Sequence, residues 1–251
     1  MTRLFTLGAG LLAALLLPGW AAAAGLNDTG ITQCADDSSN NVPCNNPSFP
    51  RQDAETGRDA QSGLGKAGAG PAGTGFDFTK LDSTGQPLAD NAPSWDCVRD
   101  NVTGLIWEVK TDNTTPDLRD KDWTYTWYNN LSPNGGNAGS TGSNTCGGFL
   151  SGQCNTQAYA AAVNALTPKL CGFSGWRMPT REELRTIVDY SRFNPAIAID
   201  YFPQTVSYWY WSASPYAPYA GYARYVNFSY GYDSAYYKGD AYAVRLVRGG
   251  Q

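Results

Sequence analysis

Residues 171–184, CGFSGWRMPTREEL, lead into the clearest secondary-structure signal in the chain. Thr180 is a favoured N-cap residue, and Glu183 three positions later completes a capping box, the arrangement that begins a helix. Apolar residues then recur at the spacing of one helix face. They are Leu184, Ile187 and Val188. This pattern predicts a helix from Thr180 to Tyr190.

A second helix and several short strands are predicted around this segment. Thr156 begins the other helix, and the Thr-Pro pair at residues 167–168 ends it. The inner face of that helix carries Tyr159, Val163 and Leu166. Strands are predicted over residues 103–110, 209–213, 223–228 and 243–248, while residues 123–128 form either another strand or a turn into a helix. Two helices with short, mostly antiparallel strands predict an α+β domain with one core.

The C-terminal part of the chain is unusually rich in tyrosine. Residues 201–242 contain 12 of the 16 tyrosines, interleaved with Ser, Ala, Gly, Asn, Asp and Pro. Antibody-like binding surfaces have this composition, because Tyr offers a large, rigid contact area at low entropic cost. The alternative is a plain Tyr-rich antiparallel sheet, since Tyr also favours strands. The predicted ligand contacts are Tyr208, Tyr210, Tyr216, Tyr219, Tyr222, Tyr230, Tyr232, Tyr236 and Tyr237.

The N-terminus has the features of a secretory signal peptide. Arg3 precedes an apolar run at residues 4–17, and an Ala-x-Ala cleavage site ends at Ala24. We therefore expect residues 1–24 to be removed and the protein to be exported to the periplasm, the cell surface or the medium. A retained anchor is the alternative; no second apolar run follows, so no transmembrane span is expected. Residues 25–94 are predicted to be a flexible Gly-rich segment, and residues 95–251 the ligand-binding domain.

Six cysteines in an exported chain predict disulfides rather than a metal site. Six cysteines allow fifteen pairings. Proximity in sequence favours Cys34 with Cys44, as a small loop in the N-terminal segment, and Cys146 with Cys154. Cys97 and Cys171 would then form the third pair, joining the start of the domain to its middle.

The composition excludes several classes of function. The chain has no histidine, which removes Ser-His-Asp and Cys-His nucleophile systems and His-ligated zinc or iron. Its net charge is −4 and it has no run of Lys or Arg, so nucleic-acid binding is not expected. We expect no catalytic residue, no cofactor and no metal ion. The sequence makes no prediction about the oligomeric state.

Several other conspicuous residues are given structural roles. The tryptophans in patterned segments are predicted to be core residues: Trp107, Trp176 and Trp211. Arg177 and Arg181 could bind an anion, but an Arg at a helix start more often pairs with a nearby carboxylate such as Glu182 or Asp189. Asp189 could also act with Asp200 as a calcium ligand, although two isolated carboxylates are weak evidence for that.

A series of motifs resembles a known family. In order, they are TGLIWE at residues 103–108, the stretch at 171–184, NPAI at 194–197, YWYWSAS at 208–214, YVNF at 225–228 and VRLVR at 244–248. Over about residues 97–250 the chain resembles the C-terminal domain family of the Legionella collagen-like protein. The resemblance implies an exported domain with a fold akin to C-type lectins and formylglycine-generating enzymes. In that fold the first and last strands pair, placing residues 103–110 beside 243–248, and a bridge between Cys97 and Cys171 would suit this closure.

The active sites of that wider fold group do not carry over to this chain. Formylglycine-generating relatives hold copper with late cysteines, and no cysteine follows Cys171. Other relatives bind iron through histidines, and the Glu-Pro-Asn and Trp-Asn-Asp calcium motifs of lectins are missing. The resemblance therefore implies a fold rather than a reaction.

C-type-lectin-fold proteins are also frequent targets of diversity-generating retroelements, which mutate adenines, often in AAC codons. Residues 208–242 use the resulting amino acids between apparently fixed ones, namely Trp211, Ser212, Val226, Phe228 and Gly231. Family members without a retroelement also carry Tyr here, so both origins stay open. The sequence thus favours an exported recognition or adhesion domain for a surface glycan or protein. The alternatives are a structural or assembly module and, with less support, a formylglycine-generating-enzyme-like enzyme.

Overall fold

The computed structural model describes residues 27–44, 49–66 and 74–249. The predicted signal peptide and residues 67–73, part of the Gly-rich stretch, lie outside these described residues. Within the described ranges, no helix combines the length and hydrophobicity that crossing a bilayer requires.

The described residues form short strands and few helices, as predicted for an α+β protein. The strands are β1 (Cys34–Ala35), β2 (Asn40–Val42), β3 (Phe78–Leu81), β4 (Cys97–Asp100), β5 (Ile106–Glu108), β6 (Tyr125–Thr126), β7 (Trp209–Pro215), β8 (Tyr222–Asn227), β9 (Asp233–Tyr237), β10 (Ala241–Tyr242) and β11 (Val247–Arg248). The helices are α1 (Asp53–Thr56), α2 (Thr156–Ala165) and α3 (Arg181–Arg185), with a 3-10 turn at Leu170–Gly172.

The central element is an antiparallel four-stranded sheet in the order β11-β5-β4-β3. Val247 of β11 lies opposite Trp107 of β5, so the predicted pairing of residues 103–110 with 243–248 is confirmed, over a shorter length. A second antiparallel sheet has the order β7-β8-β9. Strand β6 pairs with β10, and β1 pairs with β2 in a small hairpin.

The central sheet separates two hydrophobic clusters, whereas the sequence predicted one core. Successive residues of a strand point to opposite faces, so each strand supplies both clusters. Phe78, Val98 and Trp107 pack on one side with Leu184 of α3. The other side packs against α2 and contains, among others, Leu81, Cys97, Ile106 and Tyr159. The predicted core tryptophans, Trp107, Trp176 and Trp211, are at most 2% exposed.

The domain begins earlier than residue 95, which corrects the predicted boundary. Phe76 and Phe78 are each 1% exposed and stack at a centroid distance of 5.3 Å. They precede the predicted boundary, yet β3 is hydrogen-bonded into the central sheet. Further upstream, the Asn27 amide donates to Asp100 at 2.8 Å. Residues 25–94 therefore include an integral strand of the fold and are not, as a whole, a flexible segment.

The two predicted helices form, but one is shorter than expected. Helix α2 begins at Thr156, where the side chain of Asn155 accepts a hydrogen bond from Ala158 N. The predicted capping box of Thr180 and Glu183 is present. However, α3 ends at Arg185 instead of continuing to Tyr190.

Helix α3 ends in local turns, because Thr186 N donates to the Glu183 carbonyl at 2.9 Å and Val188 N donates to the Arg185 carbonyl at 3.1 Å, and both bonds span three residues instead of four. The main-chain N–H of Asp189 donates to the carbonyl of Ala196 at 3.1 Å, and that of Tyr190 donates to the carbonyl of Thr29 at 2.8 Å. These donors are therefore taken by distant segments and do not continue the helix. Ile187 and Val188 still enter the core, but from a turn.

The three disulfides are those predicted: Cys34–Cys44, Cys97–Cys171 and Cys146–Cys154. The longest bridge spans 74 residues and ties β4 to the 3-10 turn. Linking residues far apart in sequence restricts the unfolded chain, which stabilises the folded state.

A buried charged group joins the strands that close the fold. Glu108 of β5 is 0% exposed, and its carboxylate accepts hydrogen bonds from Leu246 N at 2.9 Å and from the Tyr159 hydroxyl. Lys110 Nζ lies 3.4 Å from the same carboxylate, and Arg245 donates to the Glu108 carbonyl at 2.6 Å. Burial lowers the pKa of both Lys110 and Arg245.

Removing residues 1–94 should unfold the domain, because β3 and its two phenylalanines would be lost from the sheet and core. In the full chain, Phe78→Ala should cost about 3–5 kcal/mol of unfolding free energy. Phe193→Ala, at a side chain 74% exposed, is the matched control and should change it by less than about 0.5 kcal/mol. Urea unfolding measures both variants. A 95–251 fragment that unfolds as cooperatively and at the same urea concentration as the full chain would contradict this boundary.

Candidate functional site

Most of the tyrosines predicted to bind a ligand lie on the β7-β8-β9 sheet and on the turn before β8. The turn is closed by hydrogen bonds from Tyr216 N to the Tyr222 carbonyl at 3.0 Å and from Tyr222 N to the Tyr219 carbonyl at 2.9 Å. Strand β9, which the sequence analysis did not predict, pairs with β8 from Tyr237 opposite Tyr222 to Asp233 opposite Val226.

The tyrosines do not form the single face that the sequence predicted. Tyr236 and Tyr237 are neighbours in β9, so they project to opposite faces of the sheet. Tyr237 lies 6.4 Å from Tyr222, ring to ring, whereas Tyr236 lies 5.7 Å from Trp209. The aromatic surface therefore has two parts, which meet at Tyr222 because its ring also lies 6.4 Å from that of Tyr236. We call one part the tyrosine groove (Tyr216, Tyr219, Tyr222, Arg224, Ser234 and Ala235) and the other the aromatic cluster (Tyr208, Trp209, Tyr225, Tyr236 and Tyr242).

The tyrosine groove is an open depression of about 350 Å³. The rings of Tyr216 and Tyr219 are 5.9 Å apart and those of Tyr219 and Tyr222 are 5.7 Å apart, so the three form a continuous aromatic wall. Tyr219 is 63% exposed and Tyr222 is 38% exposed. Such exposed, rigid rings can stack on sugars or pack against protein side chains.

Arg224 adds a positive charge to the groove. Its guanidinium lies 4.5 Å from the centre of the Tyr216 ring, a cation–π distance, and 3.8 Å from the Asp233 carboxylate. Asp233 also pairs with Arg181 at 3.4 Å and with Arg185 at 3.5 Å. Glu182 pairs with Arg181 at 2.5 Å. Three guanidinium groups therefore face two carboxylates at this end of the groove, and the local charge is positive.

The aromatic cluster is more tightly packed than the groove. Trp209 stacks on Tyr225 at 5.1 Å and meets Tyr242 edge-on at 4.8 Å. Burial raises the pKa of Tyr225 and of Tyr242. Tyr208 and Tyr236 cover the outside of this packing and are 42% and 43% exposed. The cluster thus continues the core to the surface.

One of the nine tyrosines predicted to contact a ligand, Tyr210, is buried. Its side chain is 1% exposed, packs edge-on against Phe228 at 5.0 Å, and accepts a hydrogen bond from Val206 N at 3.1 Å. It lies opposite Val226 in the sheet, on a face that strand alternation turns inward. The prediction for Tyr210 is therefore wrong, because this residue belongs to the core.

The other predicted contacts are accessible but lie at two ends of the sheet. Those more than one-third exposed are Tyr208, Tyr219, Tyr222, Tyr230, Tyr232, Tyr236 and Tyr237. Tyr216 is half-buried in the groove wall. Tyr230 sits in the turn between β8 and β9, and the five-residue advance along β8 separates that turn from Tyr222 by roughly 17 Å. One small ligand would therefore not contact both Tyr219 and Tyr230.

Three residues of the groove were not predicted from the sequence, namely Arg224, Ser234 and Ala235. The available signal was alternation: Arg224 stands two residues after Tyr222, so in a strand both project to the same side. Ala235 could not be placed, because its contribution depends on the pairing of β9 with β8.

Residues 96–248 match the family described as the Lcl C-terminal domain. The chain belongs to this family. The resemblance carried by the sequence motifs is thereby confirmed, and every candidate tyrosine lies inside the matched region. No curated protein and no solved structure matches the chain. Strand β3 precedes the match although it completes the central sheet of this Lcl C-terminal domain.

Arg177 and Arg181 of this Lcl C-terminal domain are engaged with carboxylates, as the sequence favoured over anion binding. Arg177 forms a two-point contact with Glu183 at 2.6 and 2.7 Å, and Arg181 pairs with Glu182 and Asp233. Asp189, a candidate calcium ligand, instead accepts a hydrogen bond from Arg192 Nε at 3.0 Å.

Another set of carboxylates lies close together in the N-terminal part of the described chain. Oxygens of Asp28, Asp53 and Asp59 lie within 4.8 Å of one another, upstream of the family match. Burial and the neighbouring Asp28 raise the pKa of Asp59. These are the residues that could hold a metal ion, and the sequence analysis did not select them because it treated residues 25–94 as a linker.

Paired Tyr→Ala variants should separate groove residues from core residues. Tyr219→Ala should change the unfolding free energy by less than about 0.5 kcal/mol, because the side chain is exposed. Tyr210→Ala should cost about 3–5 kcal/mol, since it would leave a cavity against Phe228. Chemical denaturation of both variants provides the measurement. Equal losses of stability would mean that the groove tyrosines are structural.

Proposed function

We propose that the chain is an exported recognition domain that binds a cell-surface glycan or protein through the tyrosine groove. The observation that carries this proposal is the continuous, exposed aromatic wall beside Arg224. The positive charge of Arg224 is only partly balanced, because Asp233 is shared with two other arginines. Exposed aromatic and Arg side chains are the residue types that most often dominate binding energy. The underlying sheet is packed on both faces, so the wall is held by a rigid scaffold.

The proposal is for a binding role without catalysis. A hydroxyl nucleophile needs an adjacent base to activate it. Ser234 is the hydroxyl residue of the groove other than tyrosine, and no carboxylate, His or Lys lines the groove with it. The nearby Asp233 is held by three arginines, which disfavours its action as a base.

The finer fold assignment proposed is a C-type-lectin-like fold. Its support is the pairing of β5 with β11, which closes the domain. Helices α2 and α3 lie between these strands in the sequence, and the β7-β8-β9 sheet follows them and carries the exposed tyrosines. Export is proposed from residues 1–24, and three disulfides support it, because disulfides persist in oxidising compartments.

We also propose that the C-terminal segment is diversified by a retroelement. The burial pattern supports this: Trp211, Val226 and Phe228 are each 0% exposed, whereas the intervening tyrosines are largely at the surface. Changes at exposed positions cost little stability, so such a scaffold would tolerate variation.

Diversification predicts a particular gene neighbourhood. A reverse-transcriptase gene should lie nearby, with a near-copy of the DNA that encodes residues 208–242, differing from it mainly at adenines. Sequencing the flanking DNA tests this. A locus without such a copy would show that the tyrosines are fixed, which would leave the recognition role itself intact.

Recognition is tested by screening the oxidised full chain on glycan and surface-protein arrays. Binding should be lost with Tyr219→Ala or Tyr222→Ala, each at a cost of about 2 kcal/mol or more. Tyr230→Ala is the matched control, because Tyr230 and Tyr219 are both 63% exposed but lie at opposite ends of the sheet. Binding that survives both groove variants would overturn the proposed function.

A further inference from the structure

Strand β9 has a free edge. It is the last strand of the β7-β8-β9 sheet. Hydrogen bonds join Lys238 to Gly221 at 2.9 Å and Asn227 to Tyr232 at 2.8 Å, both in the β8–β9 register. Because antiparallel pairs alternate between bonded and non-bonded positions, three residues of β9 turn their main-chain N–H groups away from β8. They are Asp233, Ala235 and Tyr237.

Those outward N–H groups have no partner among the described residues of the chain. They recur at every second residue, which is roughly 7 Å along a strand. The backbone of another extended peptide offers carbonyl groups at the same spacing, and a sheet edge of this kind adds such a strand.

The tyrosine groove lies directly beside this edge. Ala235 is the cross-strand neighbour of Arg224, and both line the groove. Because the side chain of Ala235 ends at Cβ, it leaves the space above it open. The side chain of an added strand opposite Ala235 would point into that space, towards Arg224 and the aromatic wall.

The charge of the groove favours an acidic side chain at that position. Arg224, Arg181 and Arg185 share Asp233, and Glu182 is the other carboxylate of the group. The resulting excess of one positive charge would be neutralised by one incoming carboxylate, and an Arg–carboxylate contact is among the stronger hydrogen bonds.

We propose that β9 binds an extended, acidic peptide segment of a partner protein as an added strand, with a carboxylate side chain in the tyrosine groove beside Arg224. This inference rests on the proposed recognition function and narrows its ligand from glycan or protein to protein. The main-chain groups of β9 would supply affinity, and the groove would supply specificity.

The test uses the oxidised full chain and an array of nonapeptides with Glu at the central position and varied residues elsewhere. A subset should bind, and replacing the central Glu by Gln should weaken it about tenfold or more. N-methylation of alternate peptide amides should abolish binding in one register and spare it in the other, because an added strand bonds through one edge.

Two variants of β9 and its neighbour test the geometry. Ala235→Pro removes an outward N–H and is compatible with an edge strand, and it should weaken binding about tenfold or more. Ala235→Ser retains the N–H and serves as the matched control. Arg224→Gln should remove the preference for Glu over Gln. Melting temperatures equal to the parent would show that each variant is folded.

The outcomes separate this inference from the proposed function. Strand addition would be overturned if N-methylation left peptide binding unchanged in both registers. It would also be overturned if Ala235→Pro left peptide binding unchanged. Glycan binding that depends on Tyr219 without any peptide binding would also overturn it, while supporting the recognition function. If the protein self-associates and Ala235→Pro abolishes this association, a second copy of the chain occupies the edge of β9. That result would overturn the proposal of a different partner protein. Binding that is unchanged by both Tyr219→Ala and Tyr222→Ala would defeat the recognition function itself.

Discussion

The buried carboxylate of Glu108 is the constraint on which the closure of the fold depends. It accepts hydrogen bonds from Leu246 N and from the hydroxyl of Tyr159, so it joins β5 to the segment that enters β11 and to α2. The positive charges of Arg245 and Lys110 lie next to Glu108 and compensate its negative charge. Buried charges are costly unless they are paired and hydrogen-bonded. This group therefore disfavours any arrangement in which the C-terminal segment leaves β5.

A further buried cation, Lys238, fixes the sheet that carries the tyrosine groove. Lys238, just after β9, is 1% exposed and donates to the carbonyls of Asn134 and Asn137 at 2.8 and 2.6 Å. Its ammonium also lies 4.2 Å from the centre of the Trp127 ring. Burial lowers the pKa of Lys238. The end of β9 is thus fixed to a loop that is distant in sequence.

The β7-β8-β9 sheet combines a packed interior with an exposed, tyrosine-rich exterior. Trp211 and Tyr225 continue the core under the sheet, and the Trp211 indole donates to the Tyr125 carbonyl at 2.9 Å. Outside this packing, Tyr219 and Tyr237 make few demands on the fold. A surface of this kind can change its side chains while its backbone stays in place, which is the requirement for a recognition site.

Local chemistry was sufficient to predict several parts of this protein. The capping box at Thr180, the start of α2 at Thr156 and the two short disulfide loops follow from short-range sequence signals. Cys97 and Cys171 were then the remaining pair, and the family motifs implied the pairing of β5 with β11. Only the tertiary structure decided which tyrosines are exposed, because burial depends on the face that a strand turns to its neighbour. Pairing distant in sequence likewise brought β3 into the central sheet and left β9 at an edge. It also directed the main-chain N–H groups of Asp189 and Tyr190 to the carbonyls of Ala196 and Thr29, so the segment after α3 does not resume the helix.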